Sequence, residues 1–287
     1  MLSKKLCVVV ACLCFQFLSA ISAQAVVETK KLLTIKSSGS PVDTAVSSDG
    51  RWFFVLTSQG QVEIHDATGA SKVSLKDTIK LDGPADRIAS SPNGEQLFLT
   101  DQASGSINVI AVSFVQEIDT TGAPFKGPEK APVVVSVFSD FQCPYCARVG
   151  ALMEQVMKAY PNEVKVVYKN FPLQSHQMAQ PAAFAALAAH RQGKFWEMHD
   201  KIFENSSNLS PEKFTELAKG LGLNMEQFAK DSDDPALKQQ VQQDFQNGVK
   251  ADVRGTPTLF VNGRRVTERG LEGIKAMVDA ELTKLKK

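Results

Sequence analysis

The sequence predicts an α/β domain that carries a long helical insert and is preceded by a small all-β repeat module. Three observations predict it. Residues 36 to about 118 read as short strands separated by turns; from Val133 onward strands alternate with helices; and a helical stretch of residues 175 to about 252 separates the second of those strands from the third. Of the 287 residues, 43% are hydrophobic and 22% charged, too apolar and too weakly charged for a disordered chain.

Residues 1–25 have the three parts of a secretory leader. Lys4 and Lys5 come first, an apolar stretch of residues 6–15 follows, and Ala23-Gln24-Ala25 presents the small side chains a signal peptidase accepts. Gln16 and Ser19 interrupt a stretch already short of the roughly 20 residues a span needs. A lipoprotein reading at Cys12 leaves too short an apolar core. The expectation is a cleaved leader and an exported, periplasmic protein. Once Lys4 and Lys5 are removed, 30 basic residues face 31 acidic ones, so no cationic excess supports a nucleic-acid partner. Cys7, Cys12 and Cys14 leave with the leader. One CxxC remains, Cys143 and Cys146, which rules out a disulfide-stapled scaffold.

Residues 26–118 form the expected β module. Pro41-Val42-Asp43-Thr44-Ala45-Val46-Ser47-Ser48-Asp49-Gly50 aligns with Pro84-Ala85-Asp86-Arg87-Ile88-Ala89-Ser90-Ser91-Pro92-Asn93-Gly94, about 43 residues on. Each copy continues into two further strands, residues 52–57 and 62–65 in the first and 96–100 and 106–112 in the second. Asp49-Gly50 and Asn93-Gly94 suit hairpin turns because they tolerate positive φ. This period resembles β-propeller blades of the YVTN or WD type. Two copies cannot close a propeller, so the module reads as an open sheet with exposed edges, either packed on the rest of the chain or joining two copies as a homodimer.

Residues 119–287 form the α/β domain. Residues 133–138 are a continuous apolar, β-branched run, the pattern of a buried central strand. Cys146, Val149, Met153, Val156 and Tyr160 recur at helical spacing, Pro161-Asn162 ends that helix, and residues 164–168 supply a second strand. The βαβ order makes these two strands parallel. In the insert, residues 182–189 are small helix formers, and Phe195, Met198, His199, Ile202 and Phe203 make an apolar stripe. Ser210-Pro211-Glu212 starts a further helix. Residues 257–261 are the third strand, Asn262-Gly263 turns the chain, residues 264–267 return antiparallel, and residues 270–287 close the fold with a helix.

Cys143-Pro144-Tyr145-Cys146 sits where a buried strand hands over to a helix. Unpaired N–H groups at a helix start favour thiolate over thiol. Cys143 is expected at the exposed start with a depressed pKa, which in such motifs runs from roughly 3.5 to 7.5. Cys146, one turn in, is expected to be buried and less acidic, with Pro144 at the first helical position. The pair then works by exchange, Cys143 forming a mixed disulfide that Cys146 resolves. An inert disulfide and a zinc or copper site are the alternatives. Zinc needs two more ligands; no second CxxC exists, and His176, His190 and His199 fall in the insert.

Five further segments carry a resemblance. Pro124-Phe125-Lys126-Gly127, Val137-Phe138-Ser139-Asp140-Phe141-Gln142 before the cysteines, Asn170-Phe171-Pro172-Leu173, Gly193-Lys194-Phe195-Trp196, and Gly255-Thr256-Pro257-Thr258 with Val261-Asn262-Gly263 occur in order. Residues 120–287 thereby resemble the DsbA-like thiol-disulfide oxidoreductases. The resemblance implies a thioredoxin fold interrupted by a helical domain, with Cys143 and Cys146 as catalytic residues. It further implies active-site support from Pro144, Tyr145, Thr256 and Pro257, and no cofactor or metal. It also implies a cis Thr256–Pro257 peptide facing the cysteines, with Thr256 backbone groups free for an extended substrate; an ordinary trans proline opening an edge strand is the alternative. One position departs from the pattern: Val137 stands where many relatives have a buried glutamate. Of the polar groups nearby, Asp140 is expected to be exposed, Lys169 solvated, and His176 a capping or packed residue.

The function these readings imply is an exported thiol-disulfide oxidoreductase acting on secreted protein thiols or disulfides, in the oxidising direction, with a membrane redox partner. The alternatives are a dimeric isomerase or reductase, a β-module binding platform with an accessory redox domain, and metal delivery through the CxxC.

Overall fold

The computed structural model describes residues 29–69 and 72–286. The expected leader, with Cys7, Cys12 and Cys14, lies outside the described residues. The chain divides into two compact units, one extending to Pro92 and taking up residues 98–108, the other holding residues 93–97 and everything from Val109 on.

In the first unit, β1 (Pro41–Val46), β2 (Trp52–Thr57), β3 (Gln61–Gly69) and β4 (Lys72–Lys80) form an antiparallel meander in chain order. Alternation decides which residues are enclosed: Phe54 sits opposite Ile64 and Leu56 opposite Val62, all buried on one face. A second sheet follows, with β5 (Arg87–Ser90), β6 (Gln96–Asp101) and β7 (Ser106–Ala111) in that order. The two repeats correspond to β1–β2–β3 and β5–β6–β7, and both turn glycines, Gly50 and Gly94, have φ above +70°. The Asp43 carboxylate accepts the Ile88 N–H at 2.9 Å, so β1 lies against β5. The likeness to propeller blades ends at this local pattern. Both sheets are open, with four and three strands, and none closes on itself among the described residues. Two repeats leave free edges where a propeller needs a ring of blades.

Glu63 is the most deeply buried carboxylate among the described residues of this unit, 1% exposed. Its carboxylate accepts the Ser38 N–H at 2.6 Å and the Ser38 hydroxyl at 2.5 Å, and meets His65 Nε2 at 3.0 Å. Burial alone would raise its pKa, but the Ser38 and His65 hydrogen bonds outweigh it and bring the carboxyl down to about 2. An unfolded glutamate titrates near 4.5. The stabilisation is therefore complete above that value and is lost as pH falls from there towards 2. Acid unfolding followed by fluorescence of the buried Trp52 is expected to show this loss, and Glu63→Gln is expected to remove that part of the pH dependence.

The second unit is built on β8 (Phe125–Lys126), β9 (Val133–Ser139), α1 (Cys146–Ala159) and β10 (Val164–Asn170). The insert follows as α2 (Ala179–Arg191), α3 (Phe195–Glu204), α4 (Pro211–Gly220), α5 (Met225–Ser232) and α6 (Pro235–Lys250). The chain then closes with β11 (Thr258–Val261), β12 (Arg264–Arg265) and α7 (Leu271–Lys284). The five-stranded sheet runs β12-β11-β9-β10-β8, with β9 and β10 parallel and the other pairs antiparallel. Period-two alternation divides β9 between two cores. Val133, Val135 and Val137 meet Val149, Met153 and Val156 of α1 and Ile274 and Val278 of α7. Phe138 turns the other way, edge-on to Phe171 and Phe260.

The insert packs on alanines. Seven alanines of α2 (179, 182, 183, 185, 186, 188 and 189) are 3% exposed or less, and the small side chains of this helix let α3, α5 and α6 close around it. Ser210 caps α4, its hydroxyl accepting the Lys213 N–H at 3.2 Å, with Pro211 at the first helical position. The link from insert to sheet corrects the reading of Lys169 as solvated. Lys169 is 3% exposed, its ammonium 2.5 Å from the Asp244 carboxylate of α6, and it also donates to the Asp119 carbonyl at 2.6 Å and to Asn247 Oδ1 at 3.2 Å. Asp244 additionally accepts the Asn170 N–H and side-chain amide at 3.0 and 2.9 Å. A lysine on a central strand can be buried only where acceptors surround it, and α6 supplies them.

Candidate active site

The chain leaves β9 through a turn organised by Asp140. Its side chain is buried, not exposed as the sequence suggested, because it accepts three hydrogen bonds: Gln142 N–H at 2.7 Å, Leu173 N–H at 2.7 Å and His176 Nδ1 at 2.9 Å. His176 is therefore neither a helix cap nor simply packed; it pairs with Asp140 at the surface end of that network, 26% exposed. These bonds tie the turn before the cysteines to the loop after β10. Gln142 adds a second tie by accepting the Met178 N–H at 2.5 Å.

Cys143 and Cys146 are free thiols, 4% and 2% exposed. The Cys143 amide donates to the Asp140 carbonyl at 3.1 Å, and the Cys143 carbonyl accepts from Cys146 and Ala147 at 3.0 and 3.4 Å. Helical hydrogen bonding thus begins at Cys143, while α1 proper starts at Cys146 with Tyr145 as its N-cap. Pro144 precedes the helix and does not open it. The expected exposure of Cys143 falls instead on Pro144 and Tyr145, the latter 65% exposed. Cys143 is folded under the segment that follows α6: its Sγ donates to the Thr256 carbonyl at 3.3 Å, and the Thr256–Pro257 peptide is cis. The Thr256 carbonyl is therefore engaged by the thiol itself. The structure brings Cys143, Cys146 and Thr256 together, with Pro257 following on the same segment.

The two sulfurs differ in their surroundings. Burial pushes the Cys146 thiol up to about 12 and its neighbour Cys143 adds to the rise, against hydrogen bonds with the Asp140 backbone and the Ser139 hydroxyl. A thiol held protonated in this way is a reserve nucleophile that acts only after its proton has been removed.

Behind Cys146 the structure shows a feature the sequence reading missed. A cavity of about 380 Å³ lies between α1, α3 and the sheet, with Cys146, Ser139, Tyr168 and His199 in its wall. His199, placed in the apolar stripe of α3 by its spacing, is indeed buried among Phe141, Tyr168 and Phe203, but its Nδ1 meets Asp200 at 2.7 Å. Alternation along β9 and β10 could have put Val137 and Tyr168 on one face. No pattern in the sequence shows that space is left over there.

Comparison with known proteins agrees with this architecture. The sequence profile of the Thioredoxin_4 family, described as thioredoxin, matches residues 119–280. Among solved structures, BdbD of Bacillus subtilis (oxidised) aligns with a TM-score of 0.54 and 24% identity, over 60% of this chain and 98% of that one. A thioredoxin-like oxidoreductase from Silicibacter pomeroyi DSS-3 aligns with a TM-score of 0.50 and 27% identity, over 57% and 94%. Among curated sequences, the Na(+)/H(+) antiporter NhaA 3 of Salinispora tropica is 36% identical over 155 residues, 54% of this chain and 24% of that protein. The chain thus spans about a quarter of the length of the curated relatives it matches, and no described helix is long and apolar enough to cross a membrane. With β9 and β10 parallel, β11 antiparallel beside β9, helices covering the sheet and a thiol pair where β9 meets α1, more than half of the sequence matches one family profile, and the chain belongs to the Thioredoxin_4 family, with a thioredoxin-like fold.

Proposed function

We propose that the protein exchanges disulfides with exported protein substrates through Cys143 and Cys146, and that it works in the oxidising direction outside the cytoplasm. The observation that carries this reading is the unequal pair: Cys146 buried with its thiol pushed up to about 12, and Cys143 beside the Thr256 carbonyl at the mouth of the site. Cys143 is the attacked and attacking sulfur, and Cys146 leaves from it or returns to it. An extended substrate segment can replace Cys143 as the donor to the Thr256 carbonyl, which uncovers the sulfur as the substrate docks. The leader-like sequence of residues 1–25 supports the compartment, where a CxxC can remain oxidised.

Direction is a matter of reduction potential. Equilibrated against glutathione, the Cys143–Cys146 couple is expected near about −120 mV, as for a strong oxidant; a value near about −270 mV would reverse the direction to reduction. A pair that fails to equilibrate with glutathione at all would reject the exchange reading.

A further inference from the structure

We infer that residues 29–36 of one copy of this chain add to the free edge of β7 in a second copy, supplying the strand that the second repeat lacks. The inference does not depend on the exchange reading above. The repeats are unequal. The first sheet has four strands, β1 to β4, and the second has three and stops at β7. After β7 the chain does not turn back on the sheet; it runs on to Val115, which bridges to Arg264 of β12.

A copy of the missing strand stands at the other end of the module. Thr34-Ile35-Lys36, with Gly39 and Pro41 after it, matches Thr78-Ile79-Lys80 of β4 with Gly83 and Pro84 after it. β4 leads through that glycine and proline into β5, and residues 29–36 lead through theirs into β1. By position, residues 29–36 are the fourth strand of a sheet that would precede β1. The chain holds no such sheet among the described residues, and residues 29–36 belong to no strand. Their base is fixed to the first sheet, where the Ser38 N–H donates to Glu63 at 2.6 Å and the Ser40 carbonyl accepts the Ser58 N–H at 2.9 Å. A three-stranded sheet that lacks its fourth strand is available in a second copy, as β5-β6-β7.

The register follows from the first sheet. β3 and β4 pair antiparallel with Val62 opposite Ile79, Glu63 opposite Thr78 and Ile64 opposite Asp77. Gly60-Gln61-Val62-Glu63-Ile64 corresponds to Gly105-Ser106-Ile107-Asn108-Val109, and the two glycines turn the chain with φ of 70° and 68°. Carried over, Ile35 falls opposite Ile107, Thr34 opposite Asn108 and Leu33 opposite Val109. Two apolar pairs share one face and a polar pair lies between them on the other, which is the alternation of a half-buried strand pair. In the single copy these apolar residues are uncovered. Ile107 is 64% and Val109 57% exposed, whereas Val62 and Ile64, at the same positions of β3, are 0% and 4% exposed. Leu33 is exposed as well.

The distribution of charge selects the same partner. The six residues of β7, Ser106 to Ala111, carry no charge, whereas β4, an outer strand of the first sheet, carries Lys76, Asp77 and Lys80. Charges on an edge deter strand addition, and an uncharged edge with exposed apolar side chains invites it. Lys30, Lys31 and Lys36 of the donor segment repel a second donor segment, which leaves the uncharged edge as its partner. Donor and acceptor are different surfaces, so each copy gives one strand and takes one, and the association closes as a reciprocal dimer or a ring.

Gel filtration with light scattering tests the inference. The purified protein is expected to have the mass of two or more copies. Leu33→Asp spoils the donor and Val109→Asp the acceptor, because each places a carboxylate in an apolar pair. Each variant alone is expected to be monomeric, with the concentration for half-association raised about tenfold or more. Both positions are exposed in the single copy, so the fold is expected to be kept, which circular dichroism checks. If Val109→Asp loses its fold, Ile107→Lys on the same edge takes its place. Mixed together, the two variants are expected to form a complex of one copy each, since one retains an intact segment and the other an intact β7. A monomeric wild type would overturn the inference. Self-association retained by Leu33→Asp would mean that β7 edges pair with each other, and a mixture that stays monomeric would mean that segment and edge do not meet; either result overturns it too.

Discussion

Cys143→Ser is expected to abolish disulfide exchange, lowering the rate of insulin-disulfide reduction by about a thousandfold or more, since a hydroxyl cannot replace the thiolate as nucleophile. Cys146→Ser is expected to behave differently. Cys143 keeps its place under the Thr256 carbonyl and the hydrogen bond from its N–H to the Asp140 carbonyl, so the first attack proceeds. The mixed disulfide then has no internal sulfur to resolve it and accumulates on non-reducing gels. The contrast between the variants is the informative result. Equal loss in both without a trapped intermediate would mean that the pair is a structural element. Full activity in Cys143→Ser would place the chemistry elsewhere.

The largest stability effect is expected from Asp244→Ala. Asp244 is buried and holds the Lys169 ammonium at 2.5 Å together with two donors of Asn170. Removing the carboxylate leaves the ammonium in the interior with only the Asp119 carbonyl and Asn247 amide, and leaves the Asn170 N–H without its acceptor. Breaking one side of a buried pair costs about 3–5 kcal/mol. For a unit of this size that lowers the melting temperature by about 10 °C. The companion Lys169→Met removes the other charge, and the double variant is expected to recover much of the loss, because an apolar replacement of both partners leaves no charge unpaired. A melt of Asp244→Ala indistinguishable from wild type would show that water reaches Lys169 and that the insert is held by other contacts.

Much of the fold was legible from pattern alone. The β-branched run at β9, the helical spacing from Cys146 to Val156 and the long gap before Thr258 placed the strands, their parallel pairing and the insert, because period and length reflect backbone geometry directly. Ser210-Pro211 marked the start of α4 because capping is a local interaction. The CxxC could be located for the same reason.

The polar groups around the site were not legible. By sequence alone Asp140 is expected to be exposed and Lys169 solvated, since charge usually indicates a surface position, and His176 to cap a helix or pack. Each is held by residues distant in sequence: Asp140 by the loop after β10, Lys169 by α6, and His176 by Asp140 itself. Likewise, the helix start at Cys143 suggested exposure, yet a segment more than a hundred residues later covers the sulfur. Local sequence determined which residues form strands, helices and the reactive turn, because those depend on backbone conformation and near neighbours. Tertiary structure alone decided which polar side chains are buried, which sulfur is enclosed and where a cavity remains, because burial and packing are set by chain segments that meet only after folding.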